Sequence, residues 1–329
     1  MADIDKKSDI LVGVDFGGTK ILSGVFTPKL ELVGTVKIST KAHRSVDAVI
    51  DRIARCVRDA IDECDLNLKQ LKAVGVGAPG AVDSGEGVVI NGPNIGWENV
   101  PLKKELEKRL EVPVFVDNDC NACTIGVHEV ELGGQARDLV GVFLGTGIGA
   151  GLIFNGKMYS GYNRTAGEIG HMIIRAEGKS DKDNPAETFE ELASRTAIFR
   201  RIKQAVKDGK KTLLTETLGE ELDNLRSGDL RKAIRKGDKL VEGIVEQAAV
   251  YAGIGLANVI NLLNPEVIVV GGGLIEALEN TMFDLIEKNA RKFALPGVAK
   301  GIKIIPSKLG DKAGIYGAGV IASRGIKSA

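Results

Sequence analysis

The chain has 329 residues, with 44 Lys plus Arg against 44 Asp plus Glu, 43% hydrophobic residues and only 4% aromatics. That length supplies one large or two medium domains with a buried core, and the balanced charge argues against a surface whose affinity rests on nucleic-acid phosphates. Four cysteines are too few for a disulfide scaffold, and the opening MADIDKKSD leads into no apolar leader, so the reading is a cytoplasmic protein in a reducing compartment.

In chain order, short β-branched runs at residues 10–14, 22–26 and 32–38 are followed by a helical pattern over 46–64 and a strand at 73–76. This alternation predicts an α/β domain with a mixed sheet. A helix over 102–110, a strand at 114–116 and a helix over about 119–132 come next. Residues 187–235 read as a charged helical insertion broken at Gly209, Gly219 and Gly228. The apolar stretch 248–263 carries Gly253, Gly255, Asn258 and Asn261 and falls short of the ~20 residues of a membrane span, so it reads as a buried helix. A strand at 267–270, a strand at 302–305 and a small-residue helix from about 312 complete the chain.

Residues 11–26, LVGVDFGGTKILSGVF, align with residues 139–154, LVGVFLGTGIGAGLIF. Each is strand, glycine turn, strand, and each is expected to open one of two similar domains. The turn glycines are expected in conformations that side chains resist. The 42 glycines, about twice the usual share, suggest backbone approaching a ligand at several places.

Asp15-Phe16-Gly17-Gly18-Thr19-Lys20 sets a carboxylate at a strand end before two glycines, a hydroxyl and an ammonium. Those groups suit polyphosphate bound with Mg²⁺, Asp15 holding the metal directly or through water. Gly145-Thr146-Gly147 is the equivalent turn of the second hairpin. Three decoys fail on context. Gly75 to Gly80 fits GxGxxG but is followed by Ala81-Val82-Asp83 and no helix; Gly151 to Lys157 nearly spells a Walker loop but has Met158 where Ser or Thr must stand; Cys120, Cys123 and His128 lie on one helix with no fourth metal ligand.

Asp117-Asn118-Asp119 lies where a strand meets a helix, so Asp119 is either a base for an attacking hydroxyl or an N-cap. Glu168, His171 and Glu190 add hydrogen-bonding groups among small residues, and such a set suits a polyhydroxylated ligand.

Together these segments resemble the ROK family of sugar kinases in the actin/hexokinase-like superfamily, over nearly the whole chain. DFGGTK resembles the first phosphate motif, LGTGIGAG the second, and VIVVGGG (with Gly271, Gly272 and Gly273) and LGDKAGIYGAG the adenosine-side segments. The resemblance implies two actin-like (ribonuclease H-like) domains with mixed sheets: residues 1–117 plus 311–329, and residues 118–310 with a helical insertion. It places a sugar contact on Asn94, a sugar-binding Asn and the catalytic Asp on Asn118 and Asp119, and further sugar contacts on Glu168, His171 and Glu190. Many members carry a cysteine-rich zinc motif before that last glutamate. Residues 175–191 here, RAEGKSDKDNPAETFEE, contain no cysteine, so no zinc is expected and His171 should be free for the sugar. Repressors of the family add an N-terminal DNA-binding domain, and with the first strand read from about Ile10 none is expected here.

The implied activity is ATP- and Mg²⁺-dependent phosphorylation of a hexose, with glucose as the expected acceptor, at the 6-hydroxyl between the domains. Alternatives are mannose, fructose or an N-acetylated amino sugar as acceptor, polyphosphate as donor, or a non-catalytic sugar sensor. Neither nucleic acid nor a membrane is expected as a partner, and a homodimer is an assembly the reading allows. Trp97, the only tryptophan, is expected to report sugar-driven closure.

Overall fold

The computed structural model describes residues 8–176 and 187–328. In chain order the elements are β1 (Ile10–Phe16), β2 (Lys20–Phe26), β3 (Leu32–Ser39), α1 (Val46–Glu63), β4 (Leu71–Ala78), β5 (Ala81–Asp83), β6 (Val88–Gly92), β7 (Trp97–Val100), α2 (Leu102–Leu110), β8 (Val114–Asn118), α3 (Asp119–Gly126), β9 (Leu139–Leu144), β10 (Ile148–Phe154), β11 (Lys157–Met158), β12 (Ile173–Arg175), β13 (Glu187–Thr188), α4 (Phe189–Ala193), α5 (Arg195–Lys207), α6 (Leu214–Leu218), α7 (Ser227–Arg235), α8 (Lys239–Leu263), β14 (Val267–Gly271), α9 (Gly273–Phe293), β15 (Lys303–Pro306) and α10 (Ala313–Ser328).

Two five-stranded sheets repeat one plan, β3-β2-β1-β4-β8 and β11-β10-β9-β14-β15. In the first, β1 runs antiparallel to β2 and parallel to β4, which runs parallel to β8. In the second, β14 runs parallel to both β9 and β15. The two similar hairpins of the sequence thus hold equivalent places, and the chain has the two-domain actin-like fold. Contacts divide it into one unit of residues 8–137, 151–167 and 311–328 and another of 138–150 and 168–310. The break expected after residue 117 falls after Arg137, because α3 packs on α10 inside the first unit.

In the first unit α1 covers one face of the sheet. Its buried residues Val49, Ile50, Ile53, Ala54, Val57, Ala60 and Ile61 recur at helical spacing, and Ser45 caps its start by accepting from the Ala48 N–H. On the other face α10 approaches so closely that backbone meets backbone. A Cβ on Gly13 would stand 2.1 Å from the Ile315 carbonyl oxygen, on Gly75 1.8 Å from that of Ala318, and on Gly317 1.6 Å from that of Ala122. Much of the glycine excess therefore serves helix packing, a correction to the ligand-approach reading. The helix expected over 119–132 ends as α at Gly126 and continues as a π-helical turn, Val127–Glu131.

In the second unit α8 begins at Lys239, and its 25 residues are long and apolar enough on those counts alone to cross a bilayer, contrary to the shorter expectation. Its apolar face is instead accounted for by packing: Ala248, Ala249, Ala252, Leu256 and Ile260 are buried, and Gly253 lets Asn289 of α9 come within 2.3 Å of where a Cβ would stand. The insertion starts with strand β13 before its helices. Gly209 and Gly219 break it with φ of +80° and +75°, whereas Gly228 lies inside α7.

Candidate active site

The first glycine turn is held from three sides within its unit. The Gly17 N–H donates to the Lys20 carbonyl at 2.9 Å; the Thr40 hydroxyl donates to the Gly17 carbonyl at 2.6 Å, and the Thr40 N–H to the Thr19 carbonyl at 3.0 Å. Neither Gly17 nor Gly18 has positive φ, nor do Gly145 and Gly147, so the expected strained conformations are absent. The Asn94 carbonyl oxygen would stand 3.4 Å from a Cβ on Gly18, which places the Asn94 backbone over the turn.

Asp15 leaves β1 beside this turn. Burial pushes its carboxyl up to about 6, although the Lys20 ammonium beside it works the other way. Lys20 is shared: its Nζ lies 2.8 Å from Asp311 Oδ1, while Lys37 reaches Asp311 Oδ2 at 3.1 Å. Burial opposes ionisation of Asp311, but the hydrogen bonds and charges of Lys20 and Lys37 prevail and hold it below the ordinary carboxylate range. Asp15 is thus a hard oxygen donor short of compensating positive charge, which fits a magnesium ion otherwise coordinated by phosphate and water. Among the described residues no group of three or more His, Cys, Asp or Glu is arranged for a metal. Residues 177–186, most of the segment compared with the zinc motif, lie outside the described residues.

The parallel register aligns Asp15 of β1 with Gly77 of β4, and Gly77 with Asp117 of β8. Two strand spacings, roughly 10 Å, therefore separate the two carboxylate-bearing positions on one sheet edge. Gly77 lets α3 start here: a Cβ on it would meet the Ala122 Cβ at 2.9 Å and the Asp119 Cα at 3.4 Å. Burial raises Asp117 above its ordinary value, against the lowering effect of donors from Asn121 (2.9 Å) and the Asn118 N–H (2.7 Å).

The N-cap of α3 is Asn118, not Asp119. Its Oδ1 accepts from the Cys120 and Asn121 N–H groups at 2.8 and 3.1 Å, and its Nδ2 donates to the Gly80 carbonyl at 2.9 Å and to Asp119 Oδ1 at 3.1 Å. The amide expected to hold a sugar hydroxyl is here fully engaged inside the protein, and one of its tasks is to orient Asp119. Asp119 Oδ1 also accepts from the Cys120 N–H at 2.8 Å. Burial pushes the Cys123 thiol well up, and the nearby charges of Asp15 and Asp119 push it further, so it is not a nucleophile. His128 is structural: Nε2 lies 2.8 Å from the Ala136 carbonyl oxygen and Nδ1 2.7 Å from Glu129 Oε1.

In the second unit, Glu190 of α4 accepts from the Ile148 N–H through Oε2 at 2.7 Å, and that oxygen would lie 2.2 Å from a Cβ on Gly147. Glycine is needed at this turn to admit a carboxylate. Gly170 brings the Glu168–His171 turn to the same place, since a Cβ on it would stand 2.2 Å from the Ile148 carbonyl and 3.5 Å from the Glu190 Cβ. Glu168 and His171 themselves are exposed, 4.0 Å apart. Gly272, at φ +96°, lets β14 turn into α9 against Leu144, while a Cβ on Gly273 would meet nothing within 4 Å.

The sequence profile of the ROK family matches residues 11–324. The chain belongs to the ROK family. It is a sugar kinase of the actin/hexokinase-like superfamily. A glucokinase of Halalkalibacterium halodurans is 33% identical over 94% of this ROK chain and 93% of its own. An N-acetyl-D-glucosamine kinase of Photobacterium profundum is 31% identical, covering 93% and 97%. The crystal structure of a ROK glucokinase from Streptomyces griseus in complex with glucose and AMPPNP superposes with a TM-score of 0.83 at 31% identity, over 96% of this chain and 99% of that one.

Sequence reasoning missed Thr40, Asp311 and Arg195 of this ROK chain. Lys20 implied a counter-ion that spacing could not locate. Asp311 lies inside the LGDKAGIYGAG segment and Arg195 five residues after Glu190, but their partners are distant in sequence.

Proposed function

We propose that this kinase transfers the γ-phosphoryl group of ATP to the 6-hydroxyl of glucose. The observation that carries the reading is the shared sheet edge: Asp15, with its phosphate turn, and Asp117 stand at aligned positions of parallel strands, and Asp119 opens α3 two residues beyond Asp117. A protein that merely binds sugar needs neither a metal anchor nor a base, so this pairing favours catalysis over sensing.

Asp119, oriented by Asn118 and the Cys120 N–H, takes the proton of the 6-hydroxyl as its oxygen bonds to the γ-phosphorus. The bond from that phosphorus to the β-phosphate oxygen breaks, and ADP leaves. Asn94, Glu168, His171 and Glu190 are the proposed partners of the remaining hydroxyls. Lys20, Thr19 and the amides of both glycine turns stabilise phosphate charge, and Gly271, Gly272 and Gly273 allow the nucleotide to approach. A magnesium ion held at Asp15 would neutralise phosphate charge. Glucose, rather than mannose or an N-acetylated amino sugar, is preferred on the likeness to glucokinases.

The test is coupled ADP release across a panel of glucose, mannose, fructose and N-acetylated amino sugars, with phosphate transfer from polyphosphate measured in parallel. Glucose with ATP should give the highest kcat/KM. Binding of sugar without transfer from either donor would convert the reading to a sensor.

A further inference from the structure

We propose that Arg195 is a phosphate-binding residue of the second glycine turn, donating to the β- or γ-phosphate oxygens of the nucleotide; the proposal rests on the kinase reading. Arg195 is the first residue of α5, immediately after the cap Ser194. A cation there faces the positive end of the helix and is disfavoured, and the preceding helix α4 obeys the rule with Glu190 and Glu191 in its first turn. The misfit is not relieved by a carboxylate. Burial alone shifts the guanidinium, downward, and among the described residues no Asp or Glu lies within ion-pair distance of it. Arg109, by contrast, is held by Asp47, Asp51 and Glu105.

What Arg195 does touch is the turn. Its Nη2 donates to the Thr146 hydroxyl, its backbone N–H donates to the Gly145 carbonyl at 3.0 Å, and the neighbouring Thr196 hydroxyl donates to the Thr146 carbonyl at 2.7 Å. These bonds occupy acceptors of the turn and leave donors over. The Thr146 and Gly147 N–H groups have no acceptor among the described residues, and a guanidinium offers five N–H donors of which Thr146 takes one. A half-buried, unneutralised arginine beside two spare amides and a hydroxyl matches the planar, multidentate demand of a phosphate.

The variants Arg195→Gln and Arg195→Lys separate charge from bracing. Gln keeps an N–H donor for Thr146 but loses the charge; Lys keeps the charge but not the fork. Dissociation constants for ATP, ADP, AMP and glucose are measured by calorimetry on the full chain. Arg195→Gln should weaken ATP and ADP about tenfold or more while AMP and glucose stay within about twofold, and Arg195→Lys should recover part of the loss. The proposal fails if Arg195→Gln binds ATP like the parent chain, or if ATP, ADP and AMP weaken alike, which would mark a brace of the fold. A parent chain that binds ATP yet phosphorylates no sugar would sink the kinase reading instead.

Discussion

Replacing Asp15 by Asn removes a carboxylate that the folded chain has pushed from an ordinary 3.8 up to about 6, chiefly by burial. Between those two values the folded chain holds a proton that the unfolded chain has released, so stability falls as pH rises through the window. The full gap is worth about 3 kcal/mol at ~1.4 kcal/mol per pH unit, and roughly half of it lies between pH 5 and 7.5. Asn has the same shape without the titration, so its other costs are equal at both pH values and cancel. Asp15→Asn should therefore gain about 1.5 kcal/mol on the parent chain between pH 5 and pH 7.5, while losing ~10²-fold or more in kcat as the metal anchor disappears. Trp97 makes the measurement local: it is 2% exposed, its ring centroid lies 5.1 Å from that of Phe16, and it belongs to the same unit as Asp15. Urea unfolding followed by Trp97 emission at the two pH values gives the difference. If the stability gap between variant and parent is the same at pH 5 and 7.5, Asp15 is not destabilised by ionisation, and the argument for an uncompensated metal anchor goes with it.

Asp119→Asn should leave glucose affinity within a few fold and lower kcat ~10²-fold or more, because the amide cannot take a proton; retention of more than about a tenth of the parent kcat removes Asp119 from the role of base. Gly317→Ala, which drives a Cβ to 1.6 Å from the Ala122 carbonyl oxygen, should cost ~3 kcal/mol or more in chemical unfolding, whereas Gly228→Ala, with open space in α7, should be neutral or gain up to ~1 kcal/mol. Elemental analysis of the purified protein should find no stoichiometric zinc, and activity after EDTA should return with excess Mg²⁺ alone; about one zinc per chain contradicts this. Glucose alone should change Trp97 emission, since Trp97 follows Asn94 by three residues; a full change with Mg²⁺–ATP alone, or none with glucose, overturns this.

Where sequence and structure agree, the cause is local. The Asp15-to-Lys20 and Gly145-to-Gly147 turns, the helix over Leu102–Leu110 and the strand-to-helix junction at Asp119 are each written in fewer than a dozen consecutive residues. Roles set by distant partners were not legible. Asn118 carries the right side chain for a sugar hydroxyl, and its four hydrogen bonds within the protein, one of them to Gly80 across the sheet edge, add the tasks of capping α3 and orienting Asp119.

The glycines show most directly why composition misleads about a site. An abundance of small residues suggests room for a ligand, but the same absence of a Cβ also permits two backbones to touch, and a sequence does not distinguish these demands. Gly13, Gly75 and Gly317 admit α10 to the sheet and to α3; Gly77 admits the start of α3, and with it Asp119, to the edge where Asp15 stands; Gly147 admits the Glu190 carboxylate. Those positions leave little space over. Gly145, whose nearest neighbour to a Cβ is 4.0 Å away, and Gly273, with none within 4 Å, are two glycines of the ligand-side segments whose small size the protein's own packing does not consume. Close packing by one set of glycines brings the acidic groups to the sheet edge, while glycines spared by that packing keep room for a ligand.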